Sequence, residues 1–568
     1  MTEAHFDELL VRLGTGKWNY IFFIAMSICG FIMPFHYLEG IFATPIVPHE
    51  CTEYTSPTEN LTSYSLADLQ ALGMVHNVTN EEAKCSLEVS GDPAEEGSES
   101  QTFRCTDWDY HTNNTLTSEF DLVCDRAYLA TTYQSFFLIG SLIGCILNGI
   151  FADRVGRLAV LWVATIIFVT FTIASTWITS FSAIVNVRLI IGMVEPPIIQ
   201  TCFNLCMEVC EPRLRSVLGI ILANPWAFGT MGLGGLAYLI RDWRWLQLAI
   251  SLPTLLIIPV LYLCDESPRW LIVRGRHKQA RRTLKRAARL NGASLPPDDQ
   301  LNLIMTQIQK ESKLTTATTA RGFRQRLRQI SDAVLVLFRT STIRRIMLVL
   351  CLDFCVVSFV FLGMSLNGVS YSDNQYLYTA LSGLVEVPAY TLVVPIVMRV
   401  GRRLPVACLY LLSGAFIMAL AFIPPELPWL VMVLAQLGKF SISAAFQILY
   451  MYASELIPTD VRLQGFGCAA LAAKVGEMGS PFVTQILAPL YPLAPTMLFG
   501  LTSVMAGLGT LLLPETLGAD LPDTIADLEH GFSGRFIKGK SSRFSDNAVI
   551  TMWICLIIVT RKMQPPTR

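Results

Sequence analysis

A lysine and a glutamate interrupt an otherwise apolar stretch late in this 568-residue chain, LAAKVGEMGSPF, in which Lys474 precedes Glu477 by three residues. An ionisable side chain at the centre of a bilayer costs about 3 kcal/mol on insertion scales, so such residues usually serve a function or are paired. Lys474 could attract an anionic group of a ligand, because opposite charges interact more strongly in a partly dehydrated cavity than in bulk water. It could equally pair with Glu477, since residues three apart share one helix face. Both interpretations stay open at this point.

Further ionisable, amide and aromatic side chains lie inside apolar segments. The acidic residues among them could meet an ammonium group, and the aromatic rings could stack on a cation or on another ring. Glu39 and Lys439 lie nearer the ends of their segments, so we expect them to reach the membrane interface. We predict a substrate-binding cavity formed by Lys474, Glu386, Asp353, Phe354, Phe361, Tyr390, Phe446, Gln447 and Glu477.

The sequence lacks the motifs of common catalytic sites. It contains no G-x-x-x-x-G-K-[ST] phosphate loop, no H-E-x-x-H zinc motif and no nucleophile elbow. Cys202, Cys206 and Cys210 recur every four residues, which is more typical of small apolar packing than of a metal site. The net charge of −1 gives no general attraction to nucleic acid. We therefore expect no enzyme, no cofactor, no metal site and no nucleic-acid partner.

The composition indicates a polytopic membrane protein. Hydrophobic residues make up 52% of the chain, charged residues make up 15%, and the mean hydropathy is +0.47, whereas soluble domains carry about 25% charged residues. A spanning helix needs about 20 predominantly apolar residues. Twelve segments fit this requirement: 18–42, 128–152, 159–179, 183–207, 216–240, 244–264, 345–367, 375–398, 405–423, 427–453, 463–488 and 494–514. A polar stretch divides them into six plus six, so we expect an all-α membrane protein built from two six-helix halves.

The composition of the loops predicts how the chain is oriented. Lys and Arg are dense in 265–344 and sparse in 43–127, and these residues concentrate on the cytoplasmic side of membranes. The stretch 43–127 should then lie outside the cell, where its N-x-S/T sequons can be glycosylated and its four cysteines can form two disulfides, with three possible pairings. The sequons begin at Asn60, Asn77 and Asn113, and the cysteines are Cys51, Cys85, Cys105 and Cys124.

This topology divides the chain into regions. We predict a cytosolic N-terminus (1–17), an N-terminal half (18–264) with an extracellular loop (43–127), a cytosolic central loop (265–344), a C-terminal half (345–514) and a cytosolic tail (515–568). The apolar run 548–560 in the tail is short for a span, so we do not count it as a thirteenth helix.

Charged motifs recur near the predicted cytosolic ends of the helices in both halves. GIFADRVGRLAV fits the G-x-x-x-D-R-x-G-R pattern of the major facilitator superfamily, and VMRVGRRLP is a diluted copy with Met398 in place of the aspartate. MEVCEPRLRS and ELIPTDVR each place a glutamate seven residues before an arginine. We predict that these charges form latches that favour the outward-facing state. The predicted gating residues are Gly149, Asp153, Arg154, Gly156, Arg157, Glu208, Arg215, Arg402, Glu455 and Arg462.

Five longer motifs, in order along the chain, resemble the organic cation/anion/zwitterion transporter family of solute carriers within that superfamily. They are RDWRWLQLAISLP (241–253), DESPRWLIVRGR (265–276), LVEVPAY (384–390), YMYASELIPTDVRLQGFG (450–467) and LPETLG (513–518). The resemblance extends from residue 10 to residue 518 and includes the large cysteine-bearing loop. It implies the major facilitator fold with twelve transmembrane helices. It also implies a secondary transporter or facilitator in the plasma membrane, whose central cavity binds small organic ions.

The resemblance also bears on substrate charge. In that family, the position matching Lys474 tends to be an aspartate in cation transporters and a basic residue in anion and zwitterion (carnitine-type) transporters. Tyr390 stands where the anion transporters often carry a second basic residue, and Gln447 resembles the cation transporters. We therefore expect an anionic or zwitterionic substrate. Organic cation transport is the alternative, and a transporter-like sensor without flux is an alternative of another class. The implied partners are the organic ion, the lipid bilayer and a co- or counter-transported ion that the sequence does not identify.

Overall fold

α-Helices lie in each of the twelve predicted segments. The computed structural model describes residues 2–55, 63–71, 85–89, 101–316, 335–424, 426–518, 522, 524–525 and 527–529, so Asn60, Asn77 and the apolar run 548–560 lie outside the described residues. We number the twelve segments α1 to α12. Their bounds are Lys17–Leu38 (α1), Ala127–Val155 (α2), Arg157–Ala174 (α3), Phe181–Val209 (α4), Arg215–Ile221 with Asn224–Leu239 (α5), Trp243–Ser251 with Ile257–Leu263 (α6), Ser341–Leu366 (α7), Gln375–Val400 (α8), Arg403–Ala419 (α9), Pro428–Leu456 (α10), Arg462–Phe482 (α11) and Ala494–Thr510 (α12).

Nine helices of the described chain are long and apolar enough to cross a membrane. The three segments outside this set are α5, α11 and α12. Of these, α5 is interrupted after Ile221, α12 has 17 residues, and α11 contains Lys474 and Glu477. The helices confirm the all-α membrane architecture expected from the composition.

Each half buries its own hydrophobic core. Glycines let the helices of a half approach closely, as is usual where helices pack in a membrane. In the first half, a Cβ added at Gly192 of α4 would lie 2.0 Å from the carbonyl oxygen of Phe137 on α2, and one added at Gly140 would lie 2.1 Å from that of Leu189. In the second half, Gly476 of α11 lies equally close to the backbone of Cys355 on α7. These glycines hold neighbouring backbones in direct contact.

The two halves meet at the ends of the helices next to the loop between α1 and α2, which we call the outer ends. The ring of Phe42 stacks on that of Tyr376 across the two halves, with centroids 5.5 Å apart. The side-chain amide of Gln375 donates to the carbonyl of Ile41 at 2.9 Å. Gly234 of α5 also lies against the backbone of α8. The outer side of the structure is therefore closed by contacts between the halves.

In its described residues, the loop between α1 and α2 contains a four-stranded antiparallel sheet, which the all-α prediction did not include. Its strands are β1 (His49–Thr55), β2 (Ser63–Tyr64), β3 (Ser86–Val89) and β4 (Gln101–Tyr110), in the order β2-β1-β4-β3. Disulfides join Cys51 to Cys105 and Cys85 to Cys124. The first of these links the paired strands β1 and β4. Asn113, the sequon residue inside the described part of the chain, follows β4 and is exposed.

Short helices cover the opposite ends of the first half, which we call the inner ends. They are Thr2–Leu13 before α1, and Pro268–Val273, His277–Asn291 and Asp298–Thr316 after α6. Asn291 joins these helices to α1, because its side chain accepts the backbone N–H of Trp18 at 2.9 Å and donates to the carbonyls of Leu13 and Gly14. An ion pair of 2.7 Å connects Asp7 to Arg215 at the start of α5.

Candidate substrate-binding site

A lysine and carboxylates from both halves form the centre of the candidate site. Lys474 Nζ lies 2.7 Å from Glu477 Oε2 on the same face of α11, so the intrahelical pair that the spacing allows is formed. Glu195, on α4 of the other half, interacts electrostatically with both side chains. The ring of Tyr37 on α1 lies 5.7 Å from Lys474 Nζ. One basic and two acidic side chains therefore share this position between the halves, and Lys474 keeps 17% of its side chain exposed.

Sequence reasoning misses Glu195. This residue stands in the apolar run GMVEPPII and is 5% exposed. The signal that could have found it is the one used for Glu386, namely an acid inside a spanning segment. Its relation to Lys474 could not be read from spacing, because the two residues are far apart in the chain and belong to different halves.

Aromatic rings from the second half extend from this centre. Phe446 on α10 stacks on Phe361 of α7 with centroids 6.0 Å apart, and it also contacts the ring of Tyr450 edge-on at 5.2 Å. Phe354 also contacts Tyr450 edge-on, at 5.1 Å. Tyr450 interacts electrostatically with Lys474. The structure thus brings three of the predicted aromatic residues together and adds Tyr450, which sequence reasoning did not select.

A buried ion pair lies at the other end of this aromatic row. Lys439 Nζ is 3.4 Å from Glu386 Oε1, and both side chains are 1% exposed. The same ammonium group donates to the carbonyl of Phe361 at 3.0 Å and lies 3.3 Å from the centre of its ring. The hydroxyl of Tyr390 donates to Glu386 at 3.4 Å. The expectation that Lys439 reaches the interface is wrong, because partners inside the second half satisfy its charge.

A corresponding pair is buried in the first half. Arg188 of α4 donates to Glu39 Oε2 at 3.0 Å, and both side chains are at most 2% exposed. The hydroxyl of Tyr133 donates to the other carboxylate oxygen at 2.5 Å. Glu39 therefore does not reach the interface either. Arg188, which sequence reasoning did not select, also places its guanidinium group over the rings of Tyr133 and Phe137.

Two predicted cavity residues are placed differently from the rest. Asp353 is fully buried on α7 and accepts a hydrogen bond from Thr510 of α12 at 3.0 Å, so it faces a helix interface within the second half. Its backbone carbonyl accepts from Tyr410 of α9. The structure does not bring Asp353 to Lys474. Gln447 is partly buried on α10, next to Phe446 in the chain.

The predicted gating residues of the first half gather at the inner ends of α2, α3 and α4. Arg157 pairs with Asp153 at 3.3 Å and with Glu208 at 3.2 Å. Gly156, at the α2–α3 turn, has a φ of 123°, a conformation that favours glycine. Glu208 thus pairs with Arg157 rather than with Arg215, which binds Asp7. Gly149 and Arg154 lie on the last turns of α2.

The second half repeats this arrangement. Arg402 pairs with Glu455 at 2.9 Å, and Gly401, at the α8–α9 turn, has a φ of 103°. Arg462 donates from its side chain to the carbonyl of Ile457 at 3.3 Å. The glutamate of LPETLG, Glu515, accepts the backbone N–H groups of Arg402 and Arg403. The ion pairs of Arg157 and Arg402 each join residues of a single half.

Glu266, in the motif DESPRW, has the same role at the start of α3. Its carboxylate accepts the backbone N–H of Arg157 at 3.1 Å and that of Leu158 at 3.1 Å. Burial raises the pKa of Glu266, although these N–H donors act in the opposite direction. We expect Glu266→Ala to lower the stability of the protein by about 1 kcal/mol, because it leaves two partly buried backbone donors without this partner.

Thermal unfolding of the detergent-purified protein measures this effect. Glu426→Ala is the control, because Glu426 is exposed in the α9–α10 connection. An unfolding temperature for Glu266→Ala equal to that of the control would show that the helix start does not depend on this carboxylate.

Comparison with known proteins matches most of the chain. The family model described as "Sugar (and other) transporter" matches residues 68–525. The chain is similar to solute carrier family 22 member 20 of Mus musculus, with 31% identity over 95% of this chain and 96% of that protein. It is 28% identical to a Drosophila melanogaster protein named organic cation transporter protein, over 92% of this chain and 94% of that one. Among solved structures, the inward open conformation of the xylose transporter XylE from E. coli has the same fold, with a TM-score of 0.57, 17% identity, and coverage of 90% of this chain and 99% of that one.

Proposed function

Because the chain belongs to the sugar (and other) transporter family of major facilitator proteins and, within it, to solute carrier family 22, it is a membrane transporter of organic ions, and we propose that its preferred substrates are small zwitterions. Transport proceeds by alternating access, in which the two halves expose the site between them to each side in turn. The plasma membrane is the proposed location. The proposal includes the topology predicted above, with the disulfide-bearing loop outside the cell.

The position of Lys474 between carboxylates carries this proposal. A simple anion would have to draw Lys474 away from Glu477, which lies 2.7 Å from it, and would leave that buried carboxylate without its partner. Leaving one member of a buried ion pair unpaired is costly. A zwitterion avoids this cost. Its carboxylate replaces Glu477 as the partner of Lys474, and its ammonium group pairs with the carboxylates that Lys474 leaves.

The aromatic rings suit the cationic end of such a substrate. Tyr37 already lies 5.7 Å from an ammonium group, that of Lys474. Tyr450 and Phe446 form an adjoining aromatic surface. A cation over an aromatic face gains about 0.5–2 kcal/mol, and the larger values apply when water is excluded. The site therefore offers one positive side chain, two carboxylates and aromatic surface to a substrate that carries both charges.

An organic cation is the second candidate, and a specific observation favours it. The centre of the site contains two acids, Glu195 and Glu477, against one lysine. If Lys474 remains bound to Glu477, Glu195 is available to an ammonium group on the substrate. Under this interpretation Lys474 is a structural residue, and its removal does not weaken cation uptake.

Uptake by cells that express the chain tests both candidates. The probes are a labelled betaine-type zwitterion, a dicarboxylate-type anion and a quaternary cation, each measured in the parent, in Lys474→Ala and in Glu195→Gln. We expect zwitterion uptake, reduced about tenfold or more in Lys474→Ala, since a hydrogen bond to a charged group contributes about 1.5–3 kcal/mol. Glu195→Gln should lower uptake of the zwitterion and of any transported cation.

Lys278→Ala is the matched control, because Lys278 is exposed on an inner helix. Surface biotinylation corrects each value for the amount of protein at the plasma membrane and tests the proposed location. The organic cation alternative would replace the proposal if the parent takes up the cation but not the zwitterion, and if Lys474→Ala leaves cation uptake unchanged or increases it. The absence of flux for all three probes at normal surface expression would contradict both.

A further inference from the structure

We propose that the disulfide between Cys85 and Cys124 is a thiol-exchange site, at which a small thiol outside the cell, of the glutathione type, becomes joined to Cys85. The inference takes the extracellular position of this loop from the proposed function. It depends neither on the substrate nor on transport. The second disulfide of the same loop, between Cys51 and Cys105, provides an internal reference.

One sulfur atom of this disulfide is open to solvent. Cys85 immediately precedes β3 and is exposed, whereas Cys124 is partly buried where the loop meets α2. Thiol–disulfide exchange begins when a thiolate attacks a disulfide sulfur, and its rate depends on access to that sulfur. In the reference disulfide, Cys51 is partly buried and Cys105 is 8% exposed within the apolar cluster of the sheet. An incoming thiol therefore reaches Cys85 most easily.

An imidazole faces the sulfur atom that would leave. His49 Nε2 lies 3.8 Å from Cys124 Sγ, and the ring offers a nitrogen within 4.8 Å of both sulfur atoms of the disulfide. The other ring nitrogen, Nδ1, lies 3.0 Å from the backbone carbonyl oxygen of Val47. A carbonyl oxygen only accepts hydrogen bonds, so Nδ1 carries a hydrogen and Nε2 is the atom that can take up a further proton. The ring is thus oriented to exchange a proton beside Cys124.

The surroundings of the reference disulfide differ. Cys51 Sγ lies 3.3 Å from the backbone carbonyl oxygen of Glu53, and Cys105 Sγ lies 3.1 Å from that of Asp107. Carbonyl oxygens carry partial negative charge, which disfavours a thiolate next to them. A neighbouring histidine that gains a proton favours the thiolate instead. The better leaving group is therefore Cys124.

The backbone at Cys124 supports the same assignment. This residue has a φ of 51°, in the left-handed region that residues with a side chain rarely adopt. Such a conformation persists where the surroundings enforce it, and the bond to Cys85 is one such constraint. Cys124 begins the short helix that leads into α2. Opening this disulfide therefore releases the covalent connection between β3 and α2, while the reference disulfide still joins β1 to β4.

The exchange moves one bond between sulfur atoms and needs no further oxidant. The thiolate of the external thiol attacks Cys85 Sγ, the bond from Cys85 to Cys124 breaks, and Cys124 leaves as a thiolate. The external sulfur is oxidised and Cys124 is reduced. The proton that the external thiol loses ends on His49 Nε2, which then donates to the Cys124 thiolate. The product is a mixed disulfide on Cys85.

Mass spectrometry of the detergent-purified full chain tests the inference. The protein reacts with glutathione for increasing times, free thiols are then blocked with N-ethylmaleimide, and the modified peptides are quantified. In the parent, we expect glutathione on Cys85 and maleimide on Cys124. These products should form about tenfold or more faster than any product at Cys51 or Cys105, because access and a stabilised leaving thiolate both raise the rate.

His49→Gln keeps a polar side chain that cannot take up a proton, so it should slow the reaction at Cys85 and leave the reference disulfide unchanged. His111→Gln is the control, because His111 is exposed in the same loop. Glutathione on Cys124 instead of Cys85, equal rates at the two disulfides, or an unchanged rate in His49→Gln would each overturn the inference. If His49→Gln does not fold, the position of glutathione and the two rates in the parent still decide.

Intact cells that express the parent test the topology separately. Glutathione added to the medium should join Cys85 there as it does in the purified protein. Attachment in the purified protein but not on cells would contradict the extracellular position of the loop. No attachment in either would overturn the exchange site and leave the proposed transport function untouched.

Discussion

Gly234→Leu is expected to reduce uptake about tenfold to a hundredfold while the protein still reaches the cell surface. A Cβ at this position of α5 would lie 2.7 Å from the backbone nitrogen of Ala380 and 2.8 Å from the carbonyl of Tyr376, both on α8 of the other half. Overpacking a close contact costs about 1–3 kcal/mol, occasionally more. The cost falls on the state in which the outer ends of the halves touch, so the transporter should remain open to the outside.

Two measurements check this expectation. The first is uptake of whichever probe the parent transports. The second uses Thr44→Cys and measures how fast a membrane-impermeant maleimide labels the new cysteine. The chain that lacks this cysteine gives the background. Thr44 is buried at the outer side of the closed structure, so labelling should become faster in Gly234→Leu.

Gly235→Leu is the matched control. It introduces the same side chain one residue further along α5, where a Cβ would meet no atom within 4 Å. Normal uptake by this control beside impaired uptake by Gly234→Leu would assign the effect to contact between the halves. Equal uptake by the two variants would show that α5 and α8 need not approach so closely during transport.

Lys439→Met should destabilise the protein strongly, because it leaves Glu386 as a buried carboxylate without its cation. Both side chains are 1% exposed and lie 3.4 Å apart. Removing one member of a buried ion pair costs about 3–5 kcal/mol. The hydrogen bonds from the ammonium group to Phe361 and Ser365 are lost as well. We expect a marked fall in the unfolding temperature and in the yield of monodisperse protein in detergent.

The double variant Lys439→Met, Glu386→Gln separates charge from packing. It removes both charges and keeps a side chain of similar length at each position, so it should recover most of the stability that the single variant loses. Lys278→Met, on an exposed inner helix, controls for the substitution itself. A single variant as stable as the parent, or a double variant no better than the single one, would show that the ion pair does not hold α8 and α10 together.

Some features of this protein follow from its sequence alone. A long apolar run has few alternatives to a membrane helix, and helices lie in all twelve predicted segments. The motif glycines Gly156 and Gly401 predict tight turns, and both adopt positive φ there. Because the loop contains four cysteines, the sequence allows three pairings for two disulfides. The antiparallel contact of β1 with β4 selects the pairing that includes Cys51 with Cys105.

Only the tertiary structure decides which charged residues meet. Lys474 interacts electrostatically with Glu195 of the other half, Arg188 meets Glu39, and Asp353 faces Thr510 rather than the candidate site. The physical reason lies in the surroundings of a membrane helix. Lipid tails and the interior of the helix bundle are both apolar, so the pattern of hydrophobic residues does not show which face of a helix points inward. The sequence therefore determines where the helices are and which polar residues they carry, while packing determines their rotation and hence the partner of each charge.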